Sequence, residues 1–212
     1  MRGADAAGLD FEANMSGYRR RKLDAMTNRR GRIEMLGAEM LLRYAMKKTY
    51  GIDVTGLEIE CGSFGKPRFS DASLPEFSLS HSEEAVACAI SDREVGTDIQ
   101  HVDRLRPAAA RRIMTDAEFE AFLRFDARAK EEAFFRTWVL KESLMKLTGN
   151  GFSMGPASFS VLEEEVSCGN KTAYLKCFDK LKLKKYMLGI ASFEPIDTEP
   201  ICVLFDEIVS FN

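Results

Sequence analysis

The sequence predicts an α+β protein built of two pseudo-symmetric halves, each with a long helix packed on a small, mostly antiparallel sheet. Apolar residues at Ile33, Leu36, Met40 and Tyr44 recur at helical spacing, and a second long helical segment begins near residue 130. About three short strand-like runs follow each helix, most of them separated by glycine, proline or aspartate. This repeated order predicts a cleft between the halves, which is a common place for a ligand.

The elements are predicted in the following order. Helices are expected at Arg29–Tyr50, from the capping box that begins at Thr115, and at Lys130–Leu147. Strands are expected at Leu57–Cys61, Phe77–Ser80, Ala85–Ser91, Val95–Ile99, Ser158–Leu162, Thr172–Phe178, Tyr186–Phe193 and Ile201–Phe205. Residues 1–18 are expected to form a mobile leader, residues 19–93 the N-terminal half and residues 94–212 the C-terminal half.

Composition excludes several classes of protein. The 212 residues carry a net charge of −3, which excludes a chain-wide polycation for binding nucleic acid. No apolar run is long enough for a membrane span, and the first 18 residues lack the apolar stretch of a signal peptide. The five cysteines form no CxxC pair, so we expect reduced thiols in a cytoplasmic protein and no zinc site.

The second long helix carries a carboxylate on its apolar stripe. Glu142 shares that stripe with Phe135, Trp138 and Met145 in FFRTWVLKESLMKLTGNG. A carboxylate on the inward face of a helix requires a cation, a metal ion or hydrogen bonds to compensate its charge. Lys146 lies one turn further on, so the alternative is an ordinary intrahelical Glu–Lys pair on a solvated edge.

A second acid lies in the strand-like segment REVGTDIQHV. In a strand, Asp98 and Gln100 project from one face, while Val95, Thr97 and Ile99 project from the other. An acid beside a polar partner suits a hard cation such as Mg²⁺, which prefers oxygen ligands. The alternative is an aspartate that caps a turn.

Two further segments carry polar groups that could act on a ligand. Lys66 and Arg68 in GSFGKPRFS could hold a phosphate, although the segment lacks P-loop spacing and could be a solvated turn. Ser80, His81 and Ser82 in FSLSHSEE are expected at the end of a strand. A Ser–His hydrolase is disfavoured because the sequence contains no GxSxG motif.

Taken together, GKPRF, FSLSHS, VGTDIQ and WVLKESLMKLTGNGF resemble the 4′-phosphopantetheinyl transferase superfamily, in its longer, single-chain, surfactin-type branch. The resemblance covers about residues 19–159, and the 44-residue separation of Asp98 and Glu142 is similar to that in the family. It implies the family's fold, with coenzyme A in the cleft between the halves and a magnesium ion on its pyrophosphate.

The resemblance also implies roles for individual residues. Asp98 and Glu142 would hold Mg²⁺, with Gln100 acting directly or through water where relatives often have a second acid. Lys146 would contact the transferred phosphate, and the general base would be Glu142 or Glu118, unless Glu118 is a solvated acid of a first helical turn. The residues implied to contact coenzyme A are Arg21, Lys66, Arg68, Ser80, His81, Asp98, Lys141 and Lys146, of which Arg21, Lys66, Arg68, Ser80 and His81 would contact its nucleotide.

The implied reaction moves phosphopantetheine from coenzyme A to a serine of an apo acyl or peptidyl carrier protein and releases 3′,5′-ADP. A family member that binds coenzyme A without turnover is the alternative. Residues 102–114 carry a local charge of +3, so an acidic carrier is expected to dock there, against apolar Leu105, Ile113 and Met114. We expect a monomer with no nucleic-acid or membrane partner.

Overall fold

The structure is a computed structural model that describes residue 12, residues 14–105 and residues 107–211. The helices in this part of the chain are α1 (Gly17–Asp24), α2 (Arg29–Tyr50), α3 (Pro107–Ile113), α4 (Asp116–Leu123), α5 (Ala127–Thr148) and α6 (Phe205–Phe211). The strands are β1 (Ile59–Cys61), β2 (Pro67–Phe69), β3 (Glu76–Ser82), β4 (Ala85–Ser91), β5 (Val95–His101), β6 (Glu165–Cys168), β7 (Lys171–Phe178) and β8 (Tyr186–Ser192). None of the helices described is long and apolar enough to cross a lipid bilayer.

The predicted α+β architecture is confirmed. All the strand pairs are antiparallel: β1 pairs with β2, β3 pairs with β4, and β5, β8, β7 and β6 form a four-stranded sheet in that order. The long helices α2 and α5 each have 22 residues. Helix α2 packs on β3 and β4, and α5 packs across β5 and β8. Each long helix therefore packs on its own antiparallel strands.

The ends of both long helices follow from local chemistry. The side chain of Asn28 accepts the backbone N–H of Arg30 at the start of α2, and Asp126 accepts that of Ala129 at the start of α5. Gly51 and Gly149 end the two helices with φ of 71° and 70°. This left-handed conformation favours glycine because a side chain there meets the backbone.

Each half buries its own apolar core. In the N-terminal half, Leu42 and Met46 of α2 pack with Phe77 of β3. In the C-terminal half, Val139, Leu140, Leu144 and Leu147 of α5 pack with residues of β7 and β8, among them Leu175 and Ala191. The spacing of these helical residues places one stripe of each helix on its sheet. They are not the residues predicted to form the stripes, since Ile33 of α2 is 38% exposed and Trp138 of α5 packs in a separate cluster with Phe134.

Two of the predicted strands are wrong. Residues 156–158 form a 3₁₀ turn, and residues 159–162 belong to no strand, although Val161 is buried. Residues 201–204 are also outside any strand, and α6 begins at Phe205. A short apolar run gives the same signal whether it forms a strand or an irregular segment that covers a core, so periodicity could not separate the two.

The predicted leader, residues 1–18, lies mostly outside the described residues. Within the described part, Met15 and Ser16 are buried and α1 begins at Gly17. An ion pair joins α1 to α2, since Arg19 contacts Glu39 at 2.7 Å, and Arg43 of α2 contacts the same carboxylate at 2.8 Å. Residues 15–18, which were expected in the leader, therefore belong to the packed part of the structure.

Candidate active site

The candidate site is centred on Asp98, whose carboxylate is 2% exposed. Its Oδ1 atom accepts hydrogen bonds from Ser80 Oγ at 2.6 Å and Lys146 Nζ at 2.7 Å. Its Oδ2 atom accepts a hydrogen bond from Gln100 Nε2 at 2.9 Å. Three donors from β3, β5 and α5 therefore compensate one buried carboxylate, as a buried charge requires.

Helix α5 reaches this carboxylate because two glycines allow it to lie close to the sheet. A Cβ on Gly96 of β5 would lie 2.0 Å from the carbonyl oxygen of Ser143 and 2.4 Å from the amide nitrogen of Leu147. A Cβ on Gly189 of β8 would lie 2.6 Å from the carbonyl oxygen of Val139. All of these are backbone atoms of α5, so a larger residue at either position would push the helix away from β5.

Glu142 lies near Asp98 on the same side of α5 as Lys146. Burial, followed by the negative charge of Asp98, raises the pKa of Glu142 to about 7, and the charge of Lys146 partly opposes this shift. A carboxylate with such a pKa is partly protonated at neutral pH, which is the property of a group suited to proton transfer. The charge of Lys146 therefore does not fully compensate the two carboxylates of Asp98 and Glu142.

The side chains at this position fit a divalent cation. No group of three or more His, Cys, Asp or Glu side chains forms a metal cluster in the part of the chain described. Mg²⁺, however, is commonly bound by one or two carboxylates, with substrate phosphates and water as the other ligands. Two mutually repelling carboxylates and the amide of Gln100 match that donor set, and a cation would relieve the repulsion that raises the pKa of Glu142.

Lys141, which was expected to contact coenzyme A, is fully buried and faces the interior. Its Nζ atom lies 2.8 Å from Glu118 Oε2 and also donates to the carbonyl oxygens of Pro156 and Phe159. Burial lowers the pKa of Lys141, and the hydrogen bond and charge of Glu118 oppose that shift. In this structure a ligand cannot reach the ammonium group, because protein atoms enclose it.

Glu118, which was considered as a general base, is buried beside Lys141 in the protein interior. Its carboxylate is 3% exposed and accepts the backbone N–H groups of Thr115 at 2.8 Å and Val161 at 2.7 Å in addition to Lys141. The expected capping box is present. The sequence identified this first-turn acid but not that it would be buried, because its burial depends on the packing of α4 against α5.

Two of the residues expected to hold the nucleotide share a cavity. Lys66 and Arg68 line a cavity of about 290 Å³ together with residues 147–150 at the end of α5. Lys66 Nζ donates to the carbonyl oxygen of Leu147 at 3.0 Å, and burial lowers the pKa of Lys66. The Arg68 guanidinium pairs with Glu60 on the neighbouring strand at 2.8 Å.

Two further residues that were expected to contact the nucleotide, Arg21 and His81, do not line this cavity. Arg21 is exposed on α1. His81 has an exposed side chain on β3, and its Nδ1 atom lies 3.0 Å from Glu34 Oε2. The structure therefore gathers Ser80, Asp98, Gln100, Glu142 and Lys146 at one place and leaves Arg21 and His81 on the surface.

The sequence interpretation missed the role of the serines in β3. Ser78, Ser80 and Ser82 accept the backbone N–H groups of Thr97 at 3.0 Å, Ile99 at 3.2 Å and His101 at 3.0 Å, respectively. We call these three hydrogen bonds the serine ladder. The alternation of serines in FSLSHS was the available signal, because alternate residues of a strand project from one face.

Comparison with known proteins finds similarity to one family of transferases. The model of the 4′-phosphopantetheinyl transferase superfamily matches residues 94–191, which include Asp98, Glu142 and Lys146. A 4′-phosphopantetheinyl transferase of Bacillus subtilis is 25% identical over 190 residues, which are 86% of this chain and 84% of that protein. The 4′-phosphopantetheinyl transferase psf-1 of Bacillus pumilus is 34% identical over 122 residues, which are 58% of this chain and 52% of that protein.

A solved structure, the holo-[acyl-carrier-protein] synthase of Thermotoga maritima, matches 46% of this chain and 61% of its own chain, with a TM-score of 0.35 and 18% identity. The 4′-phosphopantetheinyl transferase Sfp of Bacillus subtilis is 27% identical over 151 residues, which are 71% of this chain and 65% of that protein. The superfamily model and the similarity of most of the chain to Bacillus transferases of that name confirm the resemblance seen in the sequence, and the chain is a transferase of that type.

Proposed function

We propose that the protein transfers phosphopantetheine from coenzyme A to a serine of an apo carrier protein, with Mg²⁺ as cofactor and 3′,5′-ADP as the other product. The observation that supports this most strongly is the meeting of Asp98, Glu142 and Lys146 at one point of the cleft. Two acids and a lysine can hold a pyrophosphate and its counter-ion, and phosphoryl transfer depends chiefly on positioning and charge compensation.

The roles of the side chains follow from their contacts. In the reaction the serine oxygen bonds to the phosphorus that carries the pantetheine, and the bond from that phosphorus to the oxygen of 3′,5′-ADP breaks. Asp98 and Glu142 would hold the cation, with Gln100 as a ligand directly or through water. When bound, Mg²⁺ would compensate negative charge on the phosphate oxygens. Lys146 would exchange its contact with Asp98 for one with the transferred phosphate.

The proton of the serine requires an acceptor, and Glu142 is the acid we propose for it. The pKa of Glu142 is about 7 without the cation, and a bound cation would lower it, so the carboxylate would be ionised and able to accept a proton at neutral pH. Glu118 is no longer a candidate, because its oxygens are occupied by two backbone N–H groups and Lys141.

We propose that coenzyme A lies between the halves formed by residues 19–93 and 94–212. Its nucleotide would occupy the cavity lined by Lys66 and Arg68, where cationic side chains suit phosphate groups. Arg21 and His81 are proposed as further nucleotide contacts because both side chains are exposed. One chain supplies both halves, so we propose a monomer, and its five free cysteines support a cytoplasmic location.

The function is tested with the full chain, coenzyme A, Mg²⁺ and an apo carrier domain, followed by mass spectrometry of the carrier. The expected result is the added mass of one phosphopantetheine. Asp98→Ala and Glu142→Ala are expected to abolish the addition, whereas Glu132→Ala, which changes an exposed acid of the same helix, should leave it unchanged. Coenzyme A binding without addition to any of several carriers would show a binding protein instead, and normal rates in either site variant would exclude this site.

We further propose that an acidic carrier docks on the basic side of α3. The prediction that Ile113 and Met114 form the apolar part of that surface is wrong, because both are buried in a core with Phe122 and Phe134. Arg106 lies outside the described residues. Of the two exposed arginines of α3, Arg111 pairs with Asp116 at 2.7 Å, so Arg112 is the cation that we propose to meet the carrier.

Charge reversal of Arg112 tests this docking surface. Arg112→Glu is expected to raise KM for the carrier several-fold and to leave KM for coenzyme A unchanged, because rim charges act mainly on the encounter of two proteins. Arg128→Glu is the matched control, since its side chain is 90% exposed on α5 outside the proposed surface. Equal KM values for the carrier in the two variants would contradict the proposed surface.

A further inference from the structure

Side chains, rather than main-chain pairing, connect strands β3 and β5. The main chain of β3 pairs with β4, and that of β5 pairs with β8. The serine ladder joins them, because the hydroxyl oxygens of Ser78, Ser80 and Ser82 accept successive outward N–H groups of β5 at 3.0, 3.2 and 3.0 Å. Since β3 belongs to the N-terminal half and β5 to the C-terminal half, the ladder fixes the position of one half relative to the other.

The middle serine makes one contact more than the other two. Ser80 Oγ accepts the N–H of Ile99 and donates its own proton to Asp98 Oδ1 at 2.6 Å. That distance is typical of a hydroxyl bound to an ionised carboxylate, which is a stronger bond than one between neutral groups. Ser78 and Ser82 accept equivalent N–H groups, but the candidate metal ligand is bonded by Ser80.

From these contacts we infer that Ser80 is a positioning residue, which orients the carboxylate of Asp98 toward the cation and the pyrophosphate. The inference rests on the proposed function, because it assumes that Asp98 holds a cation. When Lys146 turns to a phosphate, Ser80 and Gln100 continue to hold the carboxylate. Of these two, Ser80 comes from β3 and Gln100 from β5, so Ser80 couples the geometry of the cation site to the packing of β3 on β5.

The hydroxyl of Ser80 is poorly placed for the other role considered for this residue, a contact with the nucleotide. Ser80 is 5% exposed, and both its proton and its oxygen are already used within the protein. A ligand would have to displace Asp98 or Ile99 to reach it. Removing a group that hydrogen-bonds a metal ligand typically lowers metal affinity or activity by about 10–100-fold.

The test compares Ser80→Ala with Ser78→Ala and Ser82→Ala. Each variant loses one bond of the serine ladder, but Ser80→Ala also loses the contact with Asp98. Three quantities are measured in the full chain: Mn²⁺ binding by electron paramagnetic resonance with saturating coenzyme A, the kcat and KM of transfer, and the thermal midpoint. Ser80→Cys serves as a near-isosteric second variant, because a thiol is a weak donor.

We expect Ser80→Ala and Ser80→Cys to weaken Mn²⁺ binding about 10-fold or more and to lower kcat, while KM for coenzyme A changes less than about 2-fold. The two control variants should keep Mn²⁺ affinity and kcat within about 2-fold of wild type, although their thermal midpoints fall as well. If Ser80→Ala does not fold, Ser80→Cys decides the comparison.

Two failures are distinguishable. Wild-type protein that transfers phosphopantetheine and binds Mn²⁺, with Ser80 variants no weaker than the controls, would overturn the role of Ser80 alone. A rise in KM for coenzyme A at constant Mn²⁺ affinity would assign Ser80 to the nucleotide and overturn it too. Wild-type protein that binds no Mn²⁺ in the presence of coenzyme A would overturn the cation site of the proposed function, and the inference with it.

Discussion

Replacing Lys141 by methionine is expected to lower the free energy of unfolding by about 3–5 kcal/mol, the usual cost of breaking a buried ion pair from one side. The side chains of Lys141 and Glu118 are 0% and 1% exposed, and their charged atoms lie 2.8 Å apart. Methionine preserves the volume, but it leaves the Glu118 carboxylate buried with two backbone donors and no counter-charge. For a chain of this size the thermal midpoint should fall by about 6–20 °C.

The measurement is urea unfolding followed by the fluorescence of Trp138, the single tryptophan, which lies on α5. Lys171→Met is the matched control, because its ion pair with Glu94 is about half exposed and such pairs contribute about 1 kcal/mol at most. The double variant Lys141→Met/Glu118→Gln should recover part of the loss, since the amide keeps an acceptor and carries no charge. A loss in Lys141→Met no larger than in Lys171→Met would refute the argument.

Two further predictions concern the site and the helix that forms it. Because folding raises the pKa of Glu142 from 4.5 to about 7, the folded state binds that proton more tightly, and this contribution to stability grows as the pH falls from about 7 to about 4.5. In EDTA, Glu142→Gln should therefore melt above wild type at pH 8 and close to it at pH 4.5; parallel pH profiles of the two melting points would contradict this. Gly96→Ala should cost more than about 3 kcal/mol in urea unfolding, because its Cβ would overlap the backbone of α5. Gly51→Ala, at a glycine with left-handed φ and no atom near its added Cβ, should lower the free energy of unfolding by only about 1–2 kcal/mol. Equal losses in the two variants would argue against the close approach of α5 to Gly96 of β5.

Most of the fold could be predicted because it depends on local patterns. The bounds of α2 agree with the sequence prediction because Asn28 and Gly51 carry the start and stop signals of that helix in their own side chain and backbone. The strand Ala85–Ser91 also agrees with the prediction. The strand predicted at Ile201–Phe205 is wrong, because its five apolar residues form a continuous run without alternation; residues 201–204 precede α6 and Phe205 begins it.

The sequence alone indicated the chemistry of the site: an acid in a strand, an acid and a lysine one turn apart on a helix, and a family resemblance that comparison with known proteins confirmed. Only the tertiary structure decided which groups contact each other. Ser80 lies 18 residues from Asp98 in sequence, and Lys146 lies 48 residues from it. The burial of Lys141 against Glu118 is equally non-local. The periods of helices and strands fix which face a side chain occupies, whereas the partner on that face depends on how α5, β3 and β5 pack together.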